Sequence, residues 1–543
     1  MKIFYYFEII IIGILFHLIF SYSIFDIFFN FKVNYGMTPH PPSLNENEIL
    51  SKRVSIIIID GARMDTLFNL ISSGKTPFLQ EIIEKRGIHG ISHTQAPTET
   101  YPCITALFTG HFYDGALSLK HSFKIPFTLD SVFNESRHSW AFGRDINFLQ
   151  KNAKNLDFAD YPLEEYSYYE LNDYEMFYTS SKLFENATLN ETLNNMLNQN
   201  KILFAHHLNY SDRIGHVYGP TSKRLKKHFK KLDKYFRQLE EDFNNFYKDN
   251  KTTFIITSDH GMNESHTHGD SDPNITRTPF IAWGAGIKHD KYIDEYINKN
   301  GINSTDYTKI IKYEINQIDI PALISGLLGI NFPKNSLGVV PIDILDISDE
   351  IKSKILLGNM RQIYEIYKIE NDNKSKSILY RTFFPLKFIE QNIMDILNHM
   401  ENNDFKSSIN KILKLIKTIK EGINYVFNYD KLYLKFIVLF GHILYLIFIL
   451  LFVEKRAKNE LSDYFFSFHK EKMTYISFGI YFFFIAFLFL KHSPFRYYIY
   501  TSFPCYFIWR LLVNKKPIMF NYNIIIYIIT IFLFFSLVRN NNI

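Results

Sequence analysis

The sequence predicts a doubly wound α/β sheet in its polar middle and about five membrane-spanning helices at its two ends. Its 543 residues are 47% hydrophobic and 17% aromatic, so at least one large packed core must form. Short β-branched runs alternate with helical patterns in the middle, which is typical of a mostly parallel sheet covered by helices. Long runs with almost no charge lie near both ends. The mean hydropathy of −0.10 is therefore an average over two unlike parts.

Composition argues against several classes of protein. The formal net charge is only +5, from 60 Lys and Arg against 55 Asp and Glu, which argues against a nucleic-acid partner. The two cysteines, Cys103 and Cys505, are too far apart in the sequence to suggest a disulfide framework or a cysteine zinc site. The motifs GxGxxG and GxxxxGK[ST] do not occur, so nucleotide-binding folds have no support.

The N-terminal run at 3–20 predicts a transmembrane anchor within residues 1–24. Only Glu8 and His17 interrupt the run, which is long enough to cross roughly 30 Å of hydrocarbon. A cleaved signal peptide is the alternative. The run is longer than the usual core of a signal peptide and more apolar residues follow it, so we expect an uncleaved anchor.

Four further apolar runs predict a C-terminal four-helix membrane domain at 434–538. They lie at 434–453, 473–490, 497–513 and 519–538. Positive charge concentrates in the first and third connecting loops, at Lys455, Arg456, Lys458, Lys470, Lys472, Lys515 and Lys516. Basic loops mark the cytosolic side of a membrane. We therefore expect a multi-pass protein whose polar region lies in the lumen of the endoplasmic reticulum.

Three β-branched runs in the polar region precede aspartates and predict buried parallel strands. They lie at 54–59, 201–208 and 252–257, ahead of Asp60, Asp212 and Asp259. Helical patterns at 67–84 and 222–247 and a further strand at 279–283 complete the alternation. Ligands of such sheets bind outside the carboxyl ends of the strands, where these aspartates fall. We expect a catalytic domain at 30–347, followed by a helical membrane-proximal segment at 348–430.

Two motifs at these strand ends are weak signals when taken singly. Asp60 precedes Gly61, and Asp-Gly after an apolar run is more typical of a turn than of a metal ligand. Asp212 and His216 are four residues apart with a glycine between them. That spacing can turn both side chains toward one cation.

The third motif is more specific. Asp259 and His260 are adjacent at a strand end, and His268 follows eight residues later. Burying an unpaired carboxylate there would cost several kcal/mol. Together the motifs supply enough Asp and His for two open Zn²⁺ sites, with Mn²⁺ or another divalent ion as alternatives. Two divalent ions against three carboxylates leave about one positive charge, which suits a phosphodiester anion.

Hydroxyl groups precede the helical pattern at 103–108. Thr100 would lie at the N-terminus of that helix, where backbone N–H groups bind phosphate oxygens and the dipole favours an alkoxide. It is the candidate nucleophile. The alternative is that Thr98 and Thr100 only cap the helix.

In this order the motifs resemble the alkaline phosphatase and nucleotide pyrophosphatase/phosphodiesterase superfamily. Within it the sequence is similar to the GPI ethanolamine phosphate transferases that modify the first mannose. The likeness runs from residue 1 to about 440, and the narrower resemblance rests on segments outside the metal motifs. These are SIFDIFF at 23–29, YGMTP at 35–39, SHT at 92–94, TPFIAWGAGI at 278–287, QIDI at 317–320 and NSLGVVP at 335–341.

The resemblance implies an alkaline-phosphatase-like fold and transfer of phosphoethanolamine from phosphatidylethanolamine to the first mannose of a GPI precursor. Thr100 would attack the lipid phosphodiester to give a covalent phosphoethanolamine-threonine, and the mannose hydroxyl, activated by the second metal, would then take the group. By position, one zinc would be held by Asp60, Thr100, Asp259 and His260, and the other by Asp212, His216 and His268.

Two alternatives remain. A zinc phosphodiesterase or phosphatase of the same superfamily would share every metal ligand and pass the group to water. A degenerate lumenal scaffold is disfavoured, because all seven positions carry competent residues. The family also carries a longer multi-helix membrane domain than the four helices expected here.

Overall fold

The structure is a computed structural model that describes residues 2–28, 33–112, 129–143, 146, 148–149, 153, 155–159, 169–289, 306–458 and 471–513. The chain divides into two units. The sheet unit comprises residues 32–366 and 388–420, and the apolar unit comprises residues 1–31, 367–387 and 421–543.

Helices occur in both units. In chain order they are α1 (Lys2–Phe28), α2 (Met64–Ser72), α3 (Pro77–Glu81), α4 (Thr100–Thr109), α5 (Val132–Glu135), α6 (Tyr169–Leu189), α7 (Glu191–Leu197), α8 (Tyr210–Tyr218), α9 (Lys223–Tyr247), α10 (Pro273–Thr276), α11 (Asp319–Leu328), α12 (Asp349–Ser375), α13 (Ile389–Glu401), α14 (Phe405–Phe427), α15 (Lys431–Ala457), α16 (Glu471–Leu490) and α17 (Phe495–Val513).

Eight strands form one sheet in the sheet unit. They are β1 (Arg53–Ile59), β2 (Gly87–His93), β3 (His138–Phe142), β4 (Leu156–Ala159), β5 (Ile202–Leu208), β6 (Thr252–Thr257), β7 (Arg277–Gly284) and β8 (Tyr313–Asn316). Their order across the sheet is β4-β3-β5-β1-β6-β7-β2-β8. Strand β7 is antiparallel to both of its neighbours, and the other pairs are parallel.

The predicted strands and the long amphipathic helix are confirmed. Strands β1, β5 and β6 coincide with the three β-branched runs and lie side by side in parallel register. Every residue in these three strands is buried, as expected for strands covered on both faces. Helix α9 begins after Ser222, whose hydroxyl accepts a hydrogen bond from the amide of Leu225 at 3.2 Å. The fold-class prediction of an α/β sheet is therefore confirmed.

The single helix expected at 67–84 is wrong. Helix α2 ends at Ser72, and α3 begins only at Pro77, before a π-helical turn over Ile82–Arg86. Gly74 adopts a left-handed conformation with φ +67°, which ends the first helix. Pro77 has no backbone N–H and fits only the first turn of the second helix.

The apolar unit contains long apolar helices at both ends of the described chain. Three helical stretches are long and apolar enough to cross a membrane: Ile9–Phe28, Phe405–Glu454 and Lys472–Leu490. Helix α17 covers the predicted run at 497–513 but is not among them, and the run at 519–538 lies outside the described residues. The count of five membrane helices stays a prediction.

The N-terminal apolar helix extends further than expected. The membrane-compatible stretch ends at Phe28 instead of Phe20. The hydroxyl of Ser23 donates to the carbonyl of Phe20 at 2.6 Å, so this serine is satisfied inside the helix and does not end it. Gly441 of α15 lies against Phe20, and a Cβ there would be 2.6 Å from the ring, so glycine permits close packing of the two helices.

An ion pair holds the amino end of the central strand. Arg53 is buried at the start of β1 and donates to both carboxylate oxygens of Asp249, at 3.0 and 2.6 Å. Its guanidinium also lies 3.5 Å from the ring centroid of Tyr247. Burial alone would raise the pKa of Asp249, but the hydrogen bonds from Arg53 lower it to about 2.

We predict that Asp249→Asn destabilises the protein by about 2 kcal/mol at neutral pH, because a buried guanidinium loses its counter-charge. Lys52 reaches the same carboxylate at 3.3 Å from an exposed position, so Lys52→Ala should cost less than about 1 kcal/mol. Unfolding of the full chain in detergent measures both losses.

The pH dependence of the Asp249→Asn effect has a defined sign. A carboxyl whose pKa is lowered in the folded state adds stability above its unfolded pKa, and this stability disappears as the pH falls through its folded pKa. The difference between wild type and Asp249→Asn should therefore be full above about pH 4 and narrow toward pH 2. Equal losses for the Asn variant and for Lys52→Ala would contradict this account.

Candidate active site

The carboxyl ends of the three central strands meet at one edge of the sheet. Asp60 directly follows β1, Asp259 lies two residues beyond β6, and Asp212 lies in the first turn of α8 just after β5. Because β5, β1 and β6 are parallel neighbours, the three aspartates converge. This is the edge at which doubly wound sheets bind ligands.

The first group of side chains surrounds His260. The Nε2 atom of His260 lies 3.5 Å from Asp60 Oδ1, 3.5 Å from Asp259 Oδ2 and 3.3 Å from the hydroxyl of Thr100. The ligand atoms of the two aspartates and the histidine all lie within 4.8 Å of one another. Asp60, Asp259 and His260 are buried, so their charges are poorly solvated.

The second group contains Asp212, His216 and His268. Asp212 and His216 are on one face of α8, with 3.2 Å between Asp212 Oδ2 and His216 Nε2. The Nε2 atom of His268 lies 3.1 Å from that of His216 and 3.8 Å from Asp212 Oδ1. The structure thus brings all seven sequence-predicted positions together.

The two groups share a side chain. The ligand atoms of Asp212, His260 and His268 also lie within 4.8 Å of one another, and the rings of His260 and His268 stack with centroids 3.9 Å apart. The resemblance assigns His260 to one group only, whereas the geometry puts it between both.

The hydrogen bonds around the cluster fit cation binding. The Nδ1 atoms of His216, His260 and His268 lie 2.7, 3.0 and 3.0 Å from the backbone carbonyls of His266, Gly261 and Thr98. A carbonyl only accepts, so each Nδ1 carries the proton and each Nε2 keeps a lone pair facing the cluster.

The carboxylates are oriented in the same way. Asp259 Oδ1 accepts the amides of Gly61 and His260, at 3.2 and 2.8 Å. Asp259 Oδ2 and Asp212 Oδ1 are buried, and neither accepts a hydrogen bond from the part of the chain that the structure describes. Burial would raise the pKa of Asp212, but His216 and the neighbouring histidines lower it. Carboxylate oxygens and imidazole nitrogens turned toward one point fit a divalent cation such as Zn²⁺.

Gly61 shows that the turn and the ligand interpretations of Asp60 are compatible. Gly61 has φ +69°, as a turn requires, and a Cβ at this position would lie 2.7 Å from Asp212 Oδ1 and 2.9 Å from Asp212 Cα. The absence of a side chain therefore lets Asp212 approach the end of β1.

The threonines do not cap α4 through their side chains. Glu99 is the residue before the helix, and no side-chain capping bond forms there. The hydroxyl of Thr98 instead donates to the carbonyl of Asp270 at 2.7 Å and accepts the amide of Gly269 at 3.0 Å. Thr100 is the first helical residue, and its hydroxyl faces His260.

Sequence reasoning missed His207. This residue is buried on β5, and its Nε2 lies 3.6 Å from Asp60 Oδ2, whereas His260 contacts Asp60 Oδ1. The adjacent His206 stacks on Phe142 at 4.7 Å, and burial lowers its pKa to about 3. Side chains alternate between the two faces of a strand, so one of two adjacent histidines must face the side of the sheet opposite to the other. The signal available in the sequence was the presence of these polar residues in an otherwise apolar strand.

Gln317 was also missed as a supporting residue. Its amide donates to the backbone carbonyl of Asp259 at 2.6 Å, and its side-chain oxygen accepts the hydroxyl of Thr94 at 2.9 Å. Thr94 lies 3.2 Å from Cys103, whose thiol pKa is raised well above its usual value, first by burial and then by Asp259. These contacts fix the backbone that carries the aspartate.

The sequence matches two known families in separate regions. Residues 54–115 and 138–278, which contain the whole cluster, match type I phosphodiesterase/nucleotide pyrophosphatase. Residues 421–539 match phosphatidylinositolglycan class N (PIG-N). The first match agrees with the resemblance to nucleotide pyrophosphatases and phosphodiesterases.

The chain is similar to curated proteins named GPI ethanolamine phosphate transferase 1. The protein of Saccharomyces cerevisiae is 32% identical over 540 residues, which cover 94% of this chain and 57% of that protein. The proteins of Schizosaccharomyces pombe and Homo sapiens are 33% and 29% identical, over 92% and 91% of this chain and 55% of each relative. The expected resemblance is confirmed, and the chain spans little more than half the length of these relatives.

We predict that Gly61→Ala damages the site more than its backbone strain alone explains. Gly74 has nearly the same φ, +67°, but a Cβ there would meet only Gln80 at 3.7 Å, so Gly74→Ala is a matched control for strain. Both variants should lose about 1–2 kcal/mol from the left-handed conformation. Gly61→Ala should lose at least about 1 kcal/mol more, because its methyl group overlaps Asp212.

Unfolding of both variants and their content of bound metal test this account. Metal binding should fall only in Gly61→Ala, because only that change displaces the Asp212 carboxylate. Equal behaviour of the two variants would show that Gly61 serves the turn alone.

Proposed function

This chain is a relative of GPI ethanolamine phosphate transferase 1, and on that premise we propose that it is a metal-dependent transferase of GPI-anchor biosynthesis. It transfers phosphoethanolamine from phosphatidylethanolamine to the first mannose of a GPI precursor. The observation that carries the proposal is the position of Thr100. Its hydroxyl lies 3.3 Å from Nε2 of His260, the side chain that the two Asp/His groups share.

Thr100 has the surroundings that a nucleophile for phosphate needs. It begins α4, a helix of ten residues, whose first backbone N–H groups and dipole attract phosphoryl oxygens. Its hydroxyl is not used for capping and faces the cluster. A hydroxyl in this position can attack a phosphodiester that is held against the helix N-terminus.

The metal ligands are proposed as two sets. Bound Zn²⁺ ions, or Mn²⁺ or another divalent ion in their place, would lower the pKa of the Thr100 hydroxyl and offset charge on the phosphoryl oxygens. The carbonyl bonds at the three Nδ1 atoms keep each histidine in the tautomer that a cation requires. The proposed ligands are Asp60, Thr100, Asp259 and His260 for one ion and Asp212, His216 and His268 for the other, with His260 near enough to serve both.

The reaction is a double displacement. The Thr100 hydroxyl loses its proton and its oxygen bonds to phosphorus, while the bond from phosphorus to the diacylglycerol oxygen breaks and that oxygen takes up a proton. The mannose hydroxyl then attacks the same phosphorus, its proton leaves, and the bond to the Thr100 oxygen breaks to restore the hydroxyl. The ethanolamine stays attached to phosphorus throughout.

We also propose the location of this chemistry. The catalytic domain is residues 30–347 on the lumenal side of the endoplasmic reticulum membrane, with an anchor at 1–24, a helical segment at 348–430 and a membrane domain at 434–538. The apolar helices and the basic loop that begins at Lys455 support this orientation.

A hydrolase is the competing function, since residues 54–115 and 138–278 match a phosphodiesterase family. We predict that the full chain in detergent, given phosphatidylethanolamine with a labelled headgroup and a mannosylated GPI acceptor, produces labelled glycolipid. Free phosphoethanolamine without labelled glycolipid would establish the hydrolase and refute the transferase.

A contrast between two variants tests the division of roles. Thr100→Ala should reduce the rate of transfer at least about 100-fold, because the nucleophile is lost. The metal content should stay near that of wild type, because only one oxygen ligand of several is lost. Thr100→Ser keeps the hydroxyl and should keep activity. Asp212→Ala should lower metal content, because it removes an anionic ligand. If Thr100→Ala lost most of its bound metal, Thr100 would be mainly a metal ligand. That result would refute this division of roles.

A further inference from the structure

Glu99 carries a carboxylate next to the proposed nucleophile and is not among the proposed metal ligands. It precedes α4, but its side chain makes no capping hydrogen bond, and the side chain is about half exposed. It is the residue immediately before Thr100, so the two Cα atoms are about 3.8 Å apart.

In the part of the chain that the structure describes, no Lys or Arg balances the charge of Glu99. In the described residues it forms an ion-pair contact only with His268, 3.4 Å from Nδ1, and that nitrogen already donates to the carbonyl of Thr98 at 3.0 Å. By contrast, nearby Glu264 is held by the guanidinium of Arg63 at 2.5 Å.

Gly269 fixes where the Glu99 carboxylate lies. A Cβ on Gly269 would be 2.7 Å from Glu99 Oε1, so the carboxylate rests against the loop that carries His268. The loop itself is tied to the residue before Glu99 through the bonds between Thr98 and Gly269. The carboxylate therefore lies on the Nδ1 side of His268, next to the loop that adjoins both Thr98 and the second Asp/His group.

The proposed substrate supplies the missing positive charge. Two divalent cations exceed the charge of Asp60, Asp212 and Asp259 by one, and the lipid phosphodiester cancels that excess. The ammonium group of the donor adds one positive charge, which the site without Glu99 does not balance. Four bonds separate the phosphorus from the nitrogen, so an ammonium remains within a few ångströms of the Thr100 oxygen.

We propose that Glu99 binds the ammonium group of phosphoethanolamine and thereby selects the lipid donor by the charge of its headgroup. This inference rests on the proposed function. Because the ethanolamine remains on phosphorus in both displacements, the same contact holds the group while it is attached to Thr100. A charged hydrogen bond of this kind distinguishes a cation from a neutral isostere.

The test compares two donors with the full chain, loaded with zinc in detergent. Phosphatidylpropanol has a methyl group where phosphatidylethanolamine has the ammonium, so the headgroups have similar size and differ in charge. Without an acceptor each chain releases one diacylglycerol, so the rate of this single turnover reports the first displacement. Wild type should prefer phosphatidylethanolamine by roughly 10- to 100-fold in the second-order rate constant of this release.

Glu99→Gln should lose that preference by slowing phosphatidylethanolamine alone, with metal content unchanged, and Glu99→Asp should restore part of it. Glu264→Gln is the matched control, because its carboxylate is already paired with Arg63, and it should keep the wild-type preference. A preference unchanged in Glu99→Gln, or equal slowing of both donors with loss of metal, would overturn the inference. No diacylglycerol release by wild type from either donor would overturn the proposed function itself, and the inference with it.

Discussion

The fully buried carboxylate of Asp259 is the constraint on which the arrangement of the site depends. One oxygen is held by the amides of Gly61 and His260, and the other accepts no hydrogen bond in the described part of the chain. A buried carboxylate is stable only beside positive charge or donors. Its amide donor Gly61 directly follows Asp60 at the end of β1, and β1 lies beside β6 in parallel register. The same constraint orients the carboxylate toward His260. Its second oxygen can then be stabilised by a bound cation.

The nucleophile reaches the site from a more distant strand. In the sheet, β7 separates β2 from β6, so the segment after β2 must cross that gap to bring Thr100 to His260. Thr98 secures the crossing, since its hydroxyl bonds to the loop that holds His268 and its carbonyl orients that imidazole. A threonine that resembled a helix cap thus couples the nucleophile to a proposed metal ligand. Positioning of this kind is what phosphoryl transfer requires of a protein.

Two aspartates of the apolar unit, Asp26 and Asp430, are paired with cations. Asp26 accepts from the guanidinium of Arg496 and from the hydroxyl of Tyr500, each at 2.8 Å. Asp430 is held by Lys374 and by Lys491, the latter at 2.6 Å. Charged side chains are costly next to hydrocarbon unless they pair, so these contacts let polar residues lie near the ends of apolar helices.

Local patterns in the sequence determined the three central strands, the amphipathic helix α9 and the seven candidate site residues, because strand and helix periodicity and strand-end aspartates are local signals. The break between α2 and α3 was also local, at Gly74 and Pro77, but the apolar pattern obscured it. Only the tertiary structure decided that His260 lies between both groups, that Gly61 makes room for Asp212 and that His207 backs Asp60. These facts depend on distances between residues far apart in the chain, which are set by strand order and packing, and no spacing along one segment encodes them.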